Sequence, residues 1–398
     1  MQYRKMGSLD WEVSALGFGC MRLPSRKFTL MGADLEESKR IIRYGIERGI
    51  NYIDTAWPYH LGESEKIVGE TLKDGYRDRV KLVTKLPMFL VFRTSDFDRF
   101  LDVQLERLGT DHLDIYLFHA LNKATFERVK SLGLIEKMEQ AKRQGRIQHI
   151  GFSFHDTYPV FKEIIDYYDW DMAQIQYNYM DTCVQATTEG LEYANSKGIA
   201  VVIMEPVKGG TLANPPREAA EVIENARIDR SPVDWALQFL WNRPEVATVL
   251  SGMSNMQQVV ENCDSADRSG VGSLSPEENL VIDQLAEIYQ QKILVPCTGC
   301  EYCMPCPQGV NIPQNFAILN NISLETGWYR RLQTRRSYRK LASNTSVLDA
   351  DRPNGSAVLC INCGECLEKC PQEIEIPLEL ERVDAILGKG EALDKHYG

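Results

Sequence analysis

Residues 35–54 read LEESKRIIRYGIERGINYID. The first part is helical in pattern: Ile41, Tyr44, Gly45 and Arg48 recur at spacings of three or one, then three, so one face turns inward. Gly49 then supplies the left-handed residue on which helices commonly end. INYID (50–54), a short aliphatic and aromatic run, has the character of a strand. The same unit recurs along the chain. Further strand candidates are VSALGF (13–18), VKLVTK (80–85), IYLFH (115–119), IQHIGFS (147–153), MAQIQY (172–177), AVVIM (200–204) and VATVLS (246–251). Amphipathic stretches such as SDFDRFLDVQLERLG and FERVKSLGLIEKMEQAKRQG separate them, and Gly109, Gly145 and Gly198 punctuate their ends. Eight strands alternating with helices over about 250 residues predict a closed (β/α)8 TIM barrel. An open doubly wound sheet would normally carry a Gly-rich phosphate loop after its first strand, and neither GxGxxG nor a Walker sequence occurs.

The whole chain has 398 residues, 43% hydrophobic and 25% charged, which suits a globular protein of two domains. A net charge of −11 and a pI near 5.2 oppose binding to nucleic acid or anionic lipid. No apolar run approaches the ~20 residues of a membrane span, and the N-terminal MQYRKMGSLDWEVS lacks the apolar core of a signal peptide. A cytoplasmic protein is expected.

Beyond Asp264 the texture changes. SPEENLVIDQLAEIYQQK (275–292) reads as a closing helix. Eight of the 11 cysteines then fall in two runs, Cys297/Cys300/Cys303/Cys306 and Cys360/Cys363/Cys366/Cys370. Each run is followed by a hydrophobic-x-Ile-Pro, ending at Ile312-Pro313 and Ile376-Pro377, so the tail is a short internal repeat. Clustered thiols in a reducing compartment indicate metal rather than disulfides. Two domains are expected, 1–290 and 291–398. Cys20, Cys183 and Cys263 stand alone and read as ordinary small hydrophobes. Between the cysteine runs lies a basic stretch (Arg330, Arg331, Arg335, Arg336, Arg339, Lys340) beside Trp328, Tyr329 and Tyr338. It reads as a solvated helix face or as a docking face for an acidic electron-transfer partner.

In such a barrel, chemistry sits at the C-terminal ends of the strands. Those ends carry Asp54, Lys85, His119, Ser153 and Gln176, with Tyr59 in the loop after Asp54. Tyrosine, at an unperturbed pKa near 10, is a poor acid at neutral pH. A buried Lys⁺ beside it favours the phenolate, and a carboxylate holds that Lys charged. Such a set donates a proton to a carbonyl oxygen while a hydride reaches its carbon. No GxSxG elbow suggests a serine nucleophile.

GINYIDTAWPYHLGESEKIVGETL (49–72), VTKL (83–86), LDVQLERLGTDHLDIYLFHAL (101–121), IGFS (150–153), QIQYN (174–178) and GMSNMQQVVEN (252–262) resemble the aldo-keto reductases over residues 1–263. The resemblance implies Asp54, Tyr59, Lys85 and His119 as a catalytic tetrad, with Tyr59 as general acid/base. It implies NAD or NADP as cofactor and a small carbonyl or alcohol as substrate. Ser153 and Gln176 correspond to the groups that bind the nicotinamide carboxamide. Met204 stands where a Tyr commonly stacks on the nicotinamide. Lys208, Gly209 and Gly210 of EPVKGG, with Gly252, Ser254, Gln258, Glu261 and Asn262, correspond to the dinucleotide cradle. Phe154 and His155 stand where the family usually has an amide, and the 252–262 loop lacks the basic residues that often hold a 2′-phosphate, which leans toward NAD; Lys208 and Arg268 are the substitutes on offer. Trp57, Met88–Phe92 and Asn122 outline an apolar, aromatic substrate pocket.

The cysteine runs resemble the bacterial ferredoxin pattern, whose fourth Cys ligates the other cluster. The resemblance implies two [4Fe–4S] clusters, one on Cys297/Cys300/Cys303 with Cys370 and one on Cys360/Cys363/Cys366 with Cys306. Zinc is the alternative, though structural zinc normally uses two separated CxxC pairs. The expected architecture is therefore a (β/α)8 barrel followed by a small, mainly α-helical ferredoxin-like domain, as in the aldo-keto reductases that carry such a tail. Two other functions fit the same residues: electron transfer between clusters and a partner through a flavin, and a redox-sensing binding module.

Overall fold

The computed structural model describes residues 1–25, 32–324, 328–342 and 355–397. Eight parallel strands close into a barrel: β3 (Leu16–Gly19), β4 (Tyr52–Asp54), β5 (Lys81–Leu86), β6 (Leu113–Leu121), β7 (Ile147–Phe154), β8 (Met172–Gln176), β9 (Ala200–Met204) and β10 (Val246–Ser251), with β10 pairing back onto β3. Ahead of them, β1 (Tyr3–Lys5) and β2 (Glu12–Ser14) form an antiparallel hairpin.

All eight expected barrel strands are present, with one correction at the start. VSALGF is not one strand; it breaks at Ala15, where the chain leaves the hairpin and enters the barrel. FERVKSLGLIEKMEQAKRQG likewise forms two helices, Lys123–Ser131 and Leu134–Arg143, because Gly133 between them takes a left-handed conformation. Gly49, Gly109, Gly145 and Gly198 are left-handed as well, at the ends of helices.

Strand residues alternate between two faces. Tyr52, Val83, Ile115, Leu117, Met172, Ala200, Val202 and Leu250 form one buried cluster with Met6 and Val13 of the N-terminal hairpin. The alternate residues Ile53, Leu82, Tyr116, Phe118, Ile150, Phe152, Ala173, Val201 and Ile203 belong to the larger cluster that takes in the surrounding helices. Because the period is two, the same parity places Asp54, Lys85, His119, Ser153, Gln176 and Met204 on the inner face at the C-terminal end.

The chain divides into two compact units, Met1–Pro206 with Val233–Ser275, and Val207–Pro232 with Pro276–Gly398. The second has its own core of Val295, Val310, Ile312, Phe316, Leu319, Ile376, Leu380 and Val383. It is mainly helical, with helices at Pro276–Lys292, Ile312–Leu324, Trp328–Ala342 and Ile376–Val383. Among the described residues no helix is long and apolar enough to cross a membrane.

Candidate active site and candidate cluster ligands

Lys85 is the hub of the barrel's polar end. Fully buried, its Nζ donates to Asp54 Oδ1 and Oδ2 at 2.6 and 2.8 Å and to the Thr55 carbonyl at 2.9 Å. Tyr59 OH stands 3.5 Å from the same nitrogen. His119 meets the Tyr59 ring edge-on, with centroids 6.1 Å apart. The four residues expected to act together are therefore in one place. The loop that presents Tyr59 turns sharply just after it: His60, Leu61 and Gly62 are all left-handed, at φ of 51°, 56° and 89°. His60 helps to hold that conformation, accepting the Leu23 amide on Nε2 at 3.0 Å.

Burial governs the electrostatics. It pushes the Asp54 carboxyl up, opposed by Lys85, which pulls it back toward the charged form. Burial, and then the charge on Lys85, hold His119 well below the usual imidazole value, so it is neutral at pH 7. His155, half-buried, is lowered to about 4 by desolvation as well. The thiol of Cys20 is raised by burial and by Asp54, which makes it a poor nucleophile. Cys263 is buried too, whereas Cys183 is exposed, contrary to its expected role as a small hydrophobe.

A second polar layer behind β5 was missed in the sequence. Glu65 is fully buried; its Oε1 accepts from Thr84 Oγ1 at 2.8 Å and its Oε2 pairs with Arg107 Nη1 at 3.0 Å. Gln104 Nε2 donates to the Lys85 carbonyl at 3.0 Å, and Tyr116 OH donates to Gln104 Oε1 at 2.6 Å. Arg107 also lies over the Trp57 ring, 3.8 Å from its centroid. One guanidinium thus ties the loop carrying Tyr59 to the layer that backs Lys85. The signal was a glutamate, Glu65, on the apolar face of ESEKIVGET beside Ile67 and Val68.

Ser153 Oγ accepts the Ala120 amide at 2.7 Å, beside His119. Gln176 Nε2 donates to Asp181 Oδ2 at 2.8 Å, and Asn178 Nδ2 donates to the same oxygen at 3.0 Å. His155 Nδ1 lies 3.2 Å from Gln185 Oε1, while Phe154 turns outward into the core against Phe152 and Phe161. Met204 is half-buried, its sulfur 3.7 Å from Gln174 Nε2. The 252–262 stretch, expected as a loop, is a loop only to its cap Asn255 and helical from Met256; in it Gln258 Oε1 accepts the Ser254 amide at 2.7 Å, and Asn262 Nδ2 donates to Ser251 Oγ at 3.0 Å. Glu261 pairs with Gln257 at 2.8 Å. Ser254 Oγ donates to the Arg22 carbonyl at 2.7 Å, and the Arg22 stem packs over Gly252, so Arg22 is the basic residue at this loop that sequence reasoning missed. Arg268 pairs with Asp234 at 3.2 Å, its side chain still largely exposed. Asn122, offered for the substrate, caps the helix Lys123–Ser131 through Thr125. Lys208, Gly209 and Gly210 fall in the second compact unit.

Within that unit the eight cysteines sort into two sets. Cys297, Cys300, Cys303 and Cys370 line one cleft, with Ile312, Phe316 and Ile376. Cys306, Cys360, Cys363 and Cys366 line the other, with Ile312, Pro377 and Leu380; Cys303 reaches both. The repeat read in the sequence is physical, since each Ile-Pro opens a helix whose first turn walls a cleft. Among the described residues no His, Cys, Asp or Glu trio closes around a single-ion position. Tetrahedral zinc at ~2.3 Å from each thiolate would draw the sulfurs to within ~4 Å of one another. Of the basic stretch, the side chains of Arg335, Arg336 and Arg339 are exposed, whereas those of Trp328, Tyr329, Arg330, Arg331 and Lys340 lie outside the described residues.

A model of the aldo/keto reductase family matches residues 15–287. The chain belongs to this family. A 4Fe-4S dicluster domain model matches residues 296–375, so this aldo-keto reductase carries an iron–sulfur module after its barrel. Among its relatives is the oxidoreductase YqkF of Bacillus subtilis, 29% identical over 67% of this chain and 92% of its own. The NADH-specific methylglyoxal reductase of Escherichia coli is 28% identical over 65% and 91%. Among solved structures, the holo form of an aldo-keto reductase from Bacillus halodurans aligns with a TM-score of 0.60 at 29% identity, covering 72% of this chain and 96% of that one.

Proposed function

We propose that this aldo-keto reductase is a NAD(P)(H)-dependent carbonyl/alcohol oxidoreductase with Tyr59 as general acid/base, fused to a module that holds two [4Fe–4S] clusters. The observation that carries the reading is Lys85, whose buried ammonium is anchored on Asp54 and Thr55 while it faces the Tyr59 hydroxyl at 3.5 Å. The bound dinucleotide would supply or accept the hydride. Asp54 and Thr55 fix the Lys85 ammonium beside the Tyr59 hydroxyl, where its positive charge stabilises the charge that develops on that oxygen as the proton passes to the carbonyl oxygen. His119, neutral and buried, orients that oxygen by hydrogen bonding and does not serve as the acid.

The residues suit the cofactors they are assigned. Ser153, Gln176 and Met204 share the inner face with the tetrad, and Arg22 adds positive charge at Gly252 and Ser254. His155 stands close enough to His119 to affect its charge, and takes the region of the family's amide. The cleft-lining sets support cross-ligation, Cys370 with the first three cysteines and Cys306 with Cys360, Cys363 and Cys366. Two clusters would supply one-electron exchange. All eight ligands lie beyond residue 290, which we keep as the functional boundary, with 1–290 the reductase and 291–398 the iron–sulfur module. Arg335, Arg336 and Arg339, exposed on one helix, are a docking face for an acidic electron-transfer protein.

Steady-state oxidation of NADH and NADPH by a panel of small carbonyls, on anaerobically purified chain, tests this reading. Turnover with either nucleotide supports it. Nucleotide binding with no turnover of any carbonyl or alcohol would favour a sensing role instead.

A further inference from the structure

The second compact unit joins two loops with different assignments. The chain enters it at Val207 with Lys208, left-handed at φ 45° and 2% exposed, followed by Gly209 at φ 63° and Gly210 at φ 98°. Amides of Gly210 and Leu212 both donate to the Val207 carbonyl, at 3.0 and 3.2 Å, which locks the turn. A Cβ on Gly209 would lie 2.2 Å from the carbonyl oxygen of Thr298. Only glycine fits, because of the φ and because of that neighbour.

Thr298 sits between Cys297 and Cys300 and is itself buried. The Gly299 amide points back to Cys297 Sγ at 3.4 Å, so this short peptide is folded around the first candidate ligand. The two loops are held in register from behind. Tyr289 OH donates to the Thr211 carbonyl at 3.4 Å, and Lys292 pairs with Glu218 at 2.9 Å. Arg230 pairs with Glu278 at 2.7 Å on the same helix, Pro276–Lys292, from which the chain runs on to Cys297. The two loops meet backbone against backbone at Gly209 and Thr298, with no room for a side chain between them.

We propose that the Lys208–Gly210 loop and the Cys297–Cys300 loop are one coupled element, so that an assembled first cluster raises affinity for the dinucleotide and bound dinucleotide stabilises that cluster. The inference rests on the reading of Lys208–Gly210 as part of the dinucleotide cradle. Linkage requires the two effects to be equal. Typical couplings are about 5–150-fold, and a contact this direct should give about tenfold.

The experiment titrates NADH and NADPH into the full anaerobic chain and into a Cys300→Ser variant, following quenching of protein fluorescence. Iron retention against a chelator is measured in parallel, with and without nucleotide. The expected result is about tenfold weaker nucleotide binding in the variant, and greater iron retention by the wild type when nucleotide is present. Gly209→Ala leaves every cysteine in place and should lower nucleotide affinity, iron content or both. A wild type that binds neither nucleotide overturns the proposed function. A wild type that binds, with equal affinity in Cys300→Ser and no nucleotide effect on iron retention, overturns the coupling alone. Gly209→Ala with full iron and wild-type affinity overturns it too.

Discussion

Replacing Tyr59 by Phe removes one hydroxyl and leaves the rest of the site in place. The ring keeps its edge contact with His119 at 6.1 Å and its position 5.1 Å from Lys85 Nζ. Asp54 and Thr55 continue to hold the Lys85 ammonium in place. Fold and nucleotide affinity should therefore be unchanged, and the whole loss should fall on the chemical step. One general acid contributes about 10²–10⁴-fold, which is ~2.7–5.4 kcal/mol of activation free energy. No neighbour can take over at pH 7, because burial keeps His119 neutral and Asp54 is paired. The assay is single-turnover oxidation of pre-bound NADH or NADPH by a saturating carbonyl, with nucleotide affinity titrated separately. A Tyr59→Phe chain that transfers hydride at the wild-type rate would refute the assignment, as would a loss confined to nucleotide affinity.

Four other outcomes are expected. Lys85→Met strands Asp54 as a buried carboxyl without its cation, at a cost of about 3–5 kcal/mol in denaturant unfolding; Lys85→Met with Asp54→Leu should recover most of it, and no recovery would show that the pair is not the cause. His155 titrates near 6.5 when unfolded and near 4 when folded, so the unfolded chain binds the extra proton; stability should be full above about pH 6.5 and fall as pH drops toward 4, by on the order of 3 kcal/mol, with a shallower slope in His155→Asn. Iron should be present at about eight atoms per chain, and stoichiometric zinc in anaerobically purified protein would overturn the cluster reading. NADH or NADPH alone should not bleach the cluster absorption while dithionite does, since hydride donors release two electrons together and each cluster takes one; rapid bleaching without flavin would sink this.

The barrel was legible because each strand is short, apolar and followed by a helix with a polar face, and period-two parity then put Asp54, Lys85, His119, Ser153 and Gln176 on one rim. What the sequence could not show was how residues far apart in the chain meet. VSALGF has the look of one mainly apolar strand, yet Ala15 divides it, because its first part pairs with Tyr3–Lys5 and its last with β4 and β10. Arg22 belongs to no motif, and only the fold brings Ser254 and Gly252, after β10, beside it. The pairing of Arg268 with Asp234, 34 positions earlier, is likewise a product of the fold alone.

The same limit explains residues 207–232. Helix Arg217–Ala226 has an ordinary amphipathic pattern, and nothing in that pattern says which surface its apolar face will cover. The answer comes from Pro276–Lys292, more than fifty residues later, whose Lys292 meets Glu218 and whose Tyr289 meets Thr211. The two Cys runs advertise their ligands by spacing alone, since thiols at three-residue intervals have few other uses. Gly209 reads in the sequence as part of the dinucleotide cradle, with no sign of a second neighbour. Its need to be glycine arises from a carbonyl 89 positions away, Thr298. A residue whose identity is fixed by a distant backbone is where two loops meet without slack, and this is the contact on which the proposed coupling of dinucleotide and first cluster is built.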